Sequence, residues 1–173
     1  SATGKAPVKY WIHTNMLTLN GKKMSKSTGN FLNPEELFTG KNTILDKAFD
    51  PMVVRFFMMQ AHYSSLLDFT SEALQASEKG FVKLMDAIKK MENLSVSSTS
   101  SFDVDQLVAS FYEAMNDDFN APVLIANLFE AVRHINLISD GKESITAVDL
   151  KKLQQEIHAF IFDVLGLKES HTQ

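Results

Sequence analysis

Cysteine is missing from the 173 residues, so disulfides and every thiolate metal site are excluded. Histidine offers no substitute. His13, His62, His134, His158 and His171 are scattered without ligand spacing, and each reads as a surface or core residue, with no metal ligand among them. No apolar run approaches the length that spans a membrane, no signal-peptide pattern opens the chain, and no internal repeat is evident. The most local absence is of negative charge. Residues 1–30 hold five lysines (Lys5, Lys9, Lys22, Lys23, Lys26) and no Asp or Glu, a charge of +5, while residues 31–173 hold 12 basic and 21 acidic side chains, or −9. A basic segment on an acidic body implies a localised anion site; it argues against a surface that coats nucleic acid generally. With 45% hydrophobic and 22% charged residues, the composition is that of a globular chain, long enough for one domain or two small ones.

What the basic segment contains is the run Asn20-Gly21-Lys22-Lys23-Met24-Ser25-Lys26-Ser27-Thr28-Gly29-Asn30. Lys23 and Lys26 are mobile point charges suited to phosphate oxygens, and Ser25, Ser27 and Thr28 add neutral donors. Gly21 and Gly29 let the backbone turn tightly and come close to a ligand. Helix capping does not account for so many lysines, because the first turn of a helix prefers carboxylates. The competing reading is a solvated basic turn.

Around this run the sequence predicts a short β segment and then helices. Tyr10-Trp11-Ile12 and Met16-Leu17-Thr18-Leu19 are rich in β-formers, and Asn20-Gly21 is the favoured pair for a tight hairpin turn that delivers the lysines. Asn33-Pro34-Glu35-Glu36 starts a short helix that stops at Gly40. Residues 41–49 read as a loop. Asp50-Pro51 opens an almost wholly apolar helix through His62, whose Met-rich stripe reads as packed core in preference to a ligand box. A long helix runs from Thr70 or Ser71 to about Asn93, with Leu74, Phe81, Leu84, Met85, Ile88 and Met91 near helical spacing. Ser95 to Ser101 reads as a mobile polar linker. Asp103 caps a helix to about Met115 with Leu107, Val108, Phe111 and Met115 on one face. Asn120 caps the next, to Asp140-Gly141, and Thr146-x-x-Asp149 resembles a capping box for a last helix ending near Leu165-Gly166. The pair Asp117/Asp118 reads as a solvated helix junction more readily than as a metal or acid–base site.

Lys23-Met24-Ser25-Lys26-Ser27 is similar to the second signature of class I aminoacyl-tRNA synthetases, with the Gly-Asn that commonly follows it. Tyr10-Trp11-Ile12-His13, Gly29-Asn30-Phe31, Arg55-Phe56-Phe57, His62-Tyr63, Leu67-Asp68-Phe69, Met115 to Pro122, Leu128-Phe129 and Val164 to Leu167 together resemble cysteinyl-tRNA synthetase, in order and over nearly the whole chain. Ser64 stands where that family usually has Arg, and Asn116 where Asp is common. The resemblance implies a mainly α fold: a remnant of a nucleotide-binding catalytic domain (residues 1–33), a connecting stem-contact-like fold (34–69), an anticodon-stem-binding helical bundle (70–166) and a tail (167–173). It implies a cytoplasmic ATP-dependent ligase, expected to be a monomer, that joins cysteine to tRNA(Cys). Lys23 and Lys26 are then the catalytic residues, with Ser25 and Ser27 completing the ATP contacts. Mg²⁺ would accompany ATP, and the family's zinc finds no ligand set here. The first ATP signature is also absent, so the chain reads as an excised piece, expected to be inactive alone. Residues 1–30 are then expected to be mobile, repacked or paired with a neighbouring molecule, while residues 34–166 keep their fold. Two alternatives stay open: the related cysteine ligase of mycothiol synthesis, and a non-catalytic helical RNA-binding or interaction module.

Overall fold

The computed structural model describes residue 4 and residues 8–42 and 44–169; Lys5 and His171 lie outside these. Asn20 and Gly21 both have positive φ, 51° and 72°, the left-handed pair that lets a two-residue turn follow the twist of its strands. The turn joins β1 (Leu17–Leu19) to β2 (Lys22–Lys23), antiparallel, with Thr18 opposite Lys23 and Leu19 opposite Lys22. The strand expected at Tyr10-Trp11-Ile12 does not form. These side chains are 86%, 68% and 65% exposed, because β propensity expresses itself only where a neighbouring strand and a packing surface exist.

A third strand, β3 (Leu67–Phe69), lies parallel to β1 with Leu17 opposite Leu67, Thr18 opposite Asp68 and Leu19 opposite Phe69. The sheet order is β2-β1-β3. The hairpin therefore has a partner within the chain, and β1 needs no neighbouring molecule to pair with. Three residues are too few for the alternation that announces a strand, so nothing local in the sequence predicts it.

The helices begin at the expected caps. α1 (Pro34–Thr39) carries a reciprocal cap: Glu36 N donates to the Asn33 side chain and Asn33 N to Glu36 Oε2, at 2.9 and 3.0 Å. α2 (Pro51–Met59) starts with Met52 N donating to Asp50 and stops short of His62. α3 (Ser71–Met91), α4 (Val104–Asn116), α5 (Ala121–Ser139) and α6 (Ala147–His158) start after Thr70, Asp103, Asn120 and Thr146, each accepting a bond from the third residue beyond it. Residues Ala159–Val164 continue α6 as a wider turn, with Leu165 N donating to Phe160 O at 2.8 Å.

Burial follows the apolar spacing. Leu74, Phe81, Leu84, Met85 and Met91 of α3 are buried, with Ile88 packed beside them, and Val108 and Phe111 of α4 are buried with Leu107 and Met115 at the margin. α2 lies on α3, α3 on α5 and α5 on α4, while α6 closes against α3 and α4. Phe56 is fully buried at the centre of the first of these contacts, its ring centroid 5.8 Å from Phe81 and 6.4 Å from Phe129. Gly80 lies against it, the position of a Cβ there being 3.4 Å from the Phe56 ring. At the far end Arg55 Nε donates to Leu165 O at 2.9 Å, joining α2 to the end of the last helix.

Two further expectations need correction. α5 is 19 residues long and, by length and composition only, apolar enough to cross a membrane. It is nonetheless a core helix, with Leu124, Ile125, Leu128, Ala131, Val132, Ile135 and Ile138 buried against its neighbours. The serine-rich stretch is not a free linker. Ser97 N donates to Ile145 O and Ser101 N to Ser144 O, at 2.8 and 3.0 Å, so it runs beside the α5–α6 connection. Polar composition says that a segment need not be buried; it does not exclude pairing with another loop.

Candidate functional site

The lysine run follows directly from the hairpin and is closed on itself. Ser25 N donates to Asn30 O at 2.8 Å, which fixes both ends of the loop. Between them Lys26–Thr28 make a single tight turn that Gly29 ends with φ 71° and a bond from its N–H to Lys26 O. The Asn30 side chain donates to Lys22 O and Lys23 O, 3.1 Å each, so the amide bolts the loop exit to β2. The Ser25 and Ser27 hydroxyls share a hydrogen bond at 2.8 Å. Of the four residues assigned to the site from sequence, Ser25, Lys26 and Ser27 lie on this closed loop, and Lys23 ends β2 two residues before it. The side chain of Thr28 lies outside the described part.

The electrostatics of the loop are one-sided. Lys22, Lys23 and Lys26 are exposed, and among the described residues none of the three makes an ion pair; the paired lysines are Lys47, Lys89, Lys142 and Lys152. Lys26 Nζ instead lies over the Phe31 ring, 5.1 Å from its centroid, a contact worth about 0.5–1 kcal/mol at an exposed position and easily exchanged for an anion. Two shallow clefts flank the loop. One of about 590 Å³ is lined by Lys22, Lys23, Gly29, Asn30 and Ile44. The other, about 440 Å³, includes Lys23, Ser25, Lys26 and Phe31 in its lining. Lys23 borders both. Ammonium groups and hydroxyls gathered beside open clefts can receive a polyanion.

The residues that hold this loop were largely invisible to sequence reasoning. Asn30 stands out in the sequence only as a motif residue, with nothing to show that it holds the loop. Phe31 and Asp68 carried no local signal of a role; Asp68 reaches the turn from β3, accepting from Gly21 N and Thr18 Oγ1. A second polar cluster links the sheet side to the bundle. Tyr63 donates its hydroxyl proton to Asp118 at 2.7 Å, and this bond to a carboxylate, with burial beside it, raises the phenol above its usual pKa. Ser64 shares a 2.7 Å hydrogen bond with His62 Nδ1. Asp118 and Phe119 both have positive φ, 54° and 55°, at the α4–α5 junction, so the acidic pair serves a strained turn whose Asp118 is bound to Tyr63.

Comparison with known proteins places this loop in context. A family model described as the class I (C) tRNA synthetase catalytic domain matches residues 1–79, the whole loop included. The chain is 48% identical over 169 residues to a cysteine–tRNA ligase of Bacteroides fragilis, covering 98% of this chain and 34% of that protein. Over nearly its whole length the chain is thus similar to one part of the cysteine–tRNA ligases. A DALR domain model matches residues 110–169, from within α4 to the end of the described bundle. Cysteine–tRNA ligases of Bacteroides thetaiotaomicron and Chlorobaculum tepidum are 49% and 41% identical, over 98% and 100% of this chain and 35% and 34% of theirs. The chain therefore spans about a third of the length of the curated relatives it matches. Among the described residues the chain is mainly helical, with six α-helices carrying a three-stranded remnant of a class I catalytic domain.

Proposed function

We propose that this chain supplies the triphosphate-binding loop, and the helical body that carries it, to a cysteine–tRNA ligase. The reaction is activation of cysteine by ATP followed by transfer to the terminal adenosine of tRNA(Cys). In the first step the cysteine carboxylate attacks the α-phosphorus, its bond to the bridging oxygen breaks, and pyrophosphate leaves with the accumulated charge. Lys23 and Lys26 face that charge, with Ser25 and Ser27 as neutral donors. Stabilisation of this kind acts on the leaving group in the transition state and needs no covalent intermediate. The observation that carries the reading is the closed, exposed loop together with the ammonium groups of Lys23 and Lys26, neither of which makes an ion pair among the described residues. The release of Lys26 from Phe31 would be the local movement that accompanies binding.

Mg²⁺ would come with the nucleotide. The residues present do not fit the zinc of the family: the chain has no cysteine, and the described residues hold no cluster of three metal-binding side chains. Within the same reading residues 1–33 end the nucleotide-binding unit, residues 34–69 connect it, and residues 70–166 form the bundle that lies along the tRNA.

The experiment is cysteine-dependent ATP–pyrophosphate exchange by a full-length ligase carrying this segment, with and without Lys26→Ala. Turnover is expected to fall about 10²–10³-fold, with a smaller change in the KM for ATP, because the lysine serves the transition state more than the ground state. A variant with unaltered kcat would overturn the assignment. A full-length protein inactive with cysteine yet able to bind tRNA would replace it with a non-catalytic RNA-binding module.

A further inference from the structure

The stem of the lysine loop is held from two sides. Asn30 is the internal anchor, within the motif itself. The other comes from β3, and it is made of a side chain and a main-chain group acting on adjacent turn residues. Gly21 N donates to both oxygens of Asp68, at 2.9 and 3.1 Å. Asn20 N donates to Phe69 O at 3.0 Å. Thr18, itself buried, donates its hydroxyl proton to the same Asp68 oxygen at 2.6 Å. Both N–H groups of the left-handed turn are therefore received by β3, and the carboxylate makes the charge-assisted share of those bonds.

The charge pattern sharpens the point. Residues 1–30 contain no carboxylate of their own, and Asp68 brings one to the foot of the loop. Its oxygens are occupied by neutral donors, and among the described residues it forms no ion pair with Lys22, Lys23 or Lys26. It orients the loop without neutralising the lysines. β3 then passes through the Thr70 cap directly into α3, so the turn is referenced to the most extended helix of the body. Slippage of the hairpin by one residue would move Lys23 by about 3.3 Å, and misplacement by about 1 Å is enough to cost 10²-fold in a positioned reaction.

We propose that Asp68 is a positioning residue of the lysine loop, fixing the Asn20-Gly21 turn from which Lys23 and Lys26 are presented to the triphosphate. The catalytic half of this inference rests on the function proposed above; the anchor itself does not. Two measurements separate them. In this chain, Asp68→Ala is expected to speed amide hydrogen exchange at Gly21 about 10-fold or more while amides within α3 and α5 keep their rates. Asp68→Asn, which retains one carbonyl acceptor, is expected to recover part of the protection. Unchanged exchange at Gly21 in Asp68→Ala overturns the anchor. In a full-length ligase carrying this segment, Asp68→Ala is expected to lower kcat for pyrophosphate exchange about 10-fold with the KM for cysteine unmoved, and Asp68→Asn by less. In a Lys23→Ala/Lys26→Ala background the same substitution is expected to cost less than about 2-fold, because both groups it positions are gone. Equal losses in both backgrounds overturn the positioning role, since a general structural defect would add to the loss of the two lysines. A silent Lys26→Ala overturns the functional reading and the catalytic half with it, and is told apart by the exchange rates, which need no nucleotide.

Discussion

At the scale of single residues, Gly166 shows how tightly a terminal contact can be specified. Its φ is 62°, and a Cβ there would lie 2.9 Å from Arg55 Nη2, while Arg55 Nε is bonded to the carbonyl of the preceding Leu165. Gly166→Ala must therefore strain the backbone and push aside a guanidinium that is already committed. A loss of about 1–2 kcal/mol is expected, the cost of a left-handed non-glycine residue, read as a lower urea midpoint with an unchanged m-value. No shift in midpoint would mean that the Arg55 contact gives way freely. Glycine near the end of a helix was legible in the sequence as a stop signal. That Arg55 occupies the space of its missing side chain was not, because the two lie more than a hundred positions apart.

At the scale of elements, the start of α6 depends on a segment that composition marks only as polar. Thr146 Oγ1 accepts from Asp149 N at 3.1 Å, the forward half of the expected capping box. The return half is relayed: Thr146 N donates to Ser100 Oγ at 3.0 Å, and Ser100 donates to Asp149. The Ser100 hydroxyl, then the Thr146 hydroxyl, hold the Asp149 carboxyl below its usual value of 3.8. A depressed folded-state pKa means that the unfolded chain binds more protons in this range, so the contribution of Asp149 to stability is full above 3.8 and is lost as pH falls through the folded value. Ser100→Ala is accordingly expected to lower Tm most at neutral pH, with the gap from the unsubstituted chain closing as the pH drops below 3.8. A gap independent of pH would remove the relay through Asp149. The caps at Asn33, Asp50, Thr70, Asp103, Asn120 and Thr146 could all be read from sequence because a cap and its helix are neighbours in the chain.

At the scale of the whole molecule, stability rests on the stack of α2, α3, α5 and α4, and Phe56 is the residue shared by its first three layers. Phe56→Ala would open a cavity facing Phe81, Phe129 and Gly80. It is expected to cost about 3–5 kcal/mol, measured by denaturant unfolding; a loss below about 1 kcal/mol would show that the stack collapses into the space. The sequence by itself determined the helix starts, the apolar faces that became the core, the Asn20-Gly21 turn and the lysine run, because each is written in residues a few positions apart. The likeness to cysteine–tRNA ligases was legible for the same reason, as ordered short motifs. What only the tertiary structure decided are the encounters over long separations: β3 beside β1, Asp68 under the hairpin turn, Arg55 against Gly166, Ser100 inside the α6 cap. Each such contact needs one or two polar groups meeting at hydrogen-bond distance, which leaves no periodicity or composition in the chain to announce it. The same cause explains why Tyr10-Trp11-Ile12 reads as a strand and is none: propensity is local, and the partner that would realise it is not.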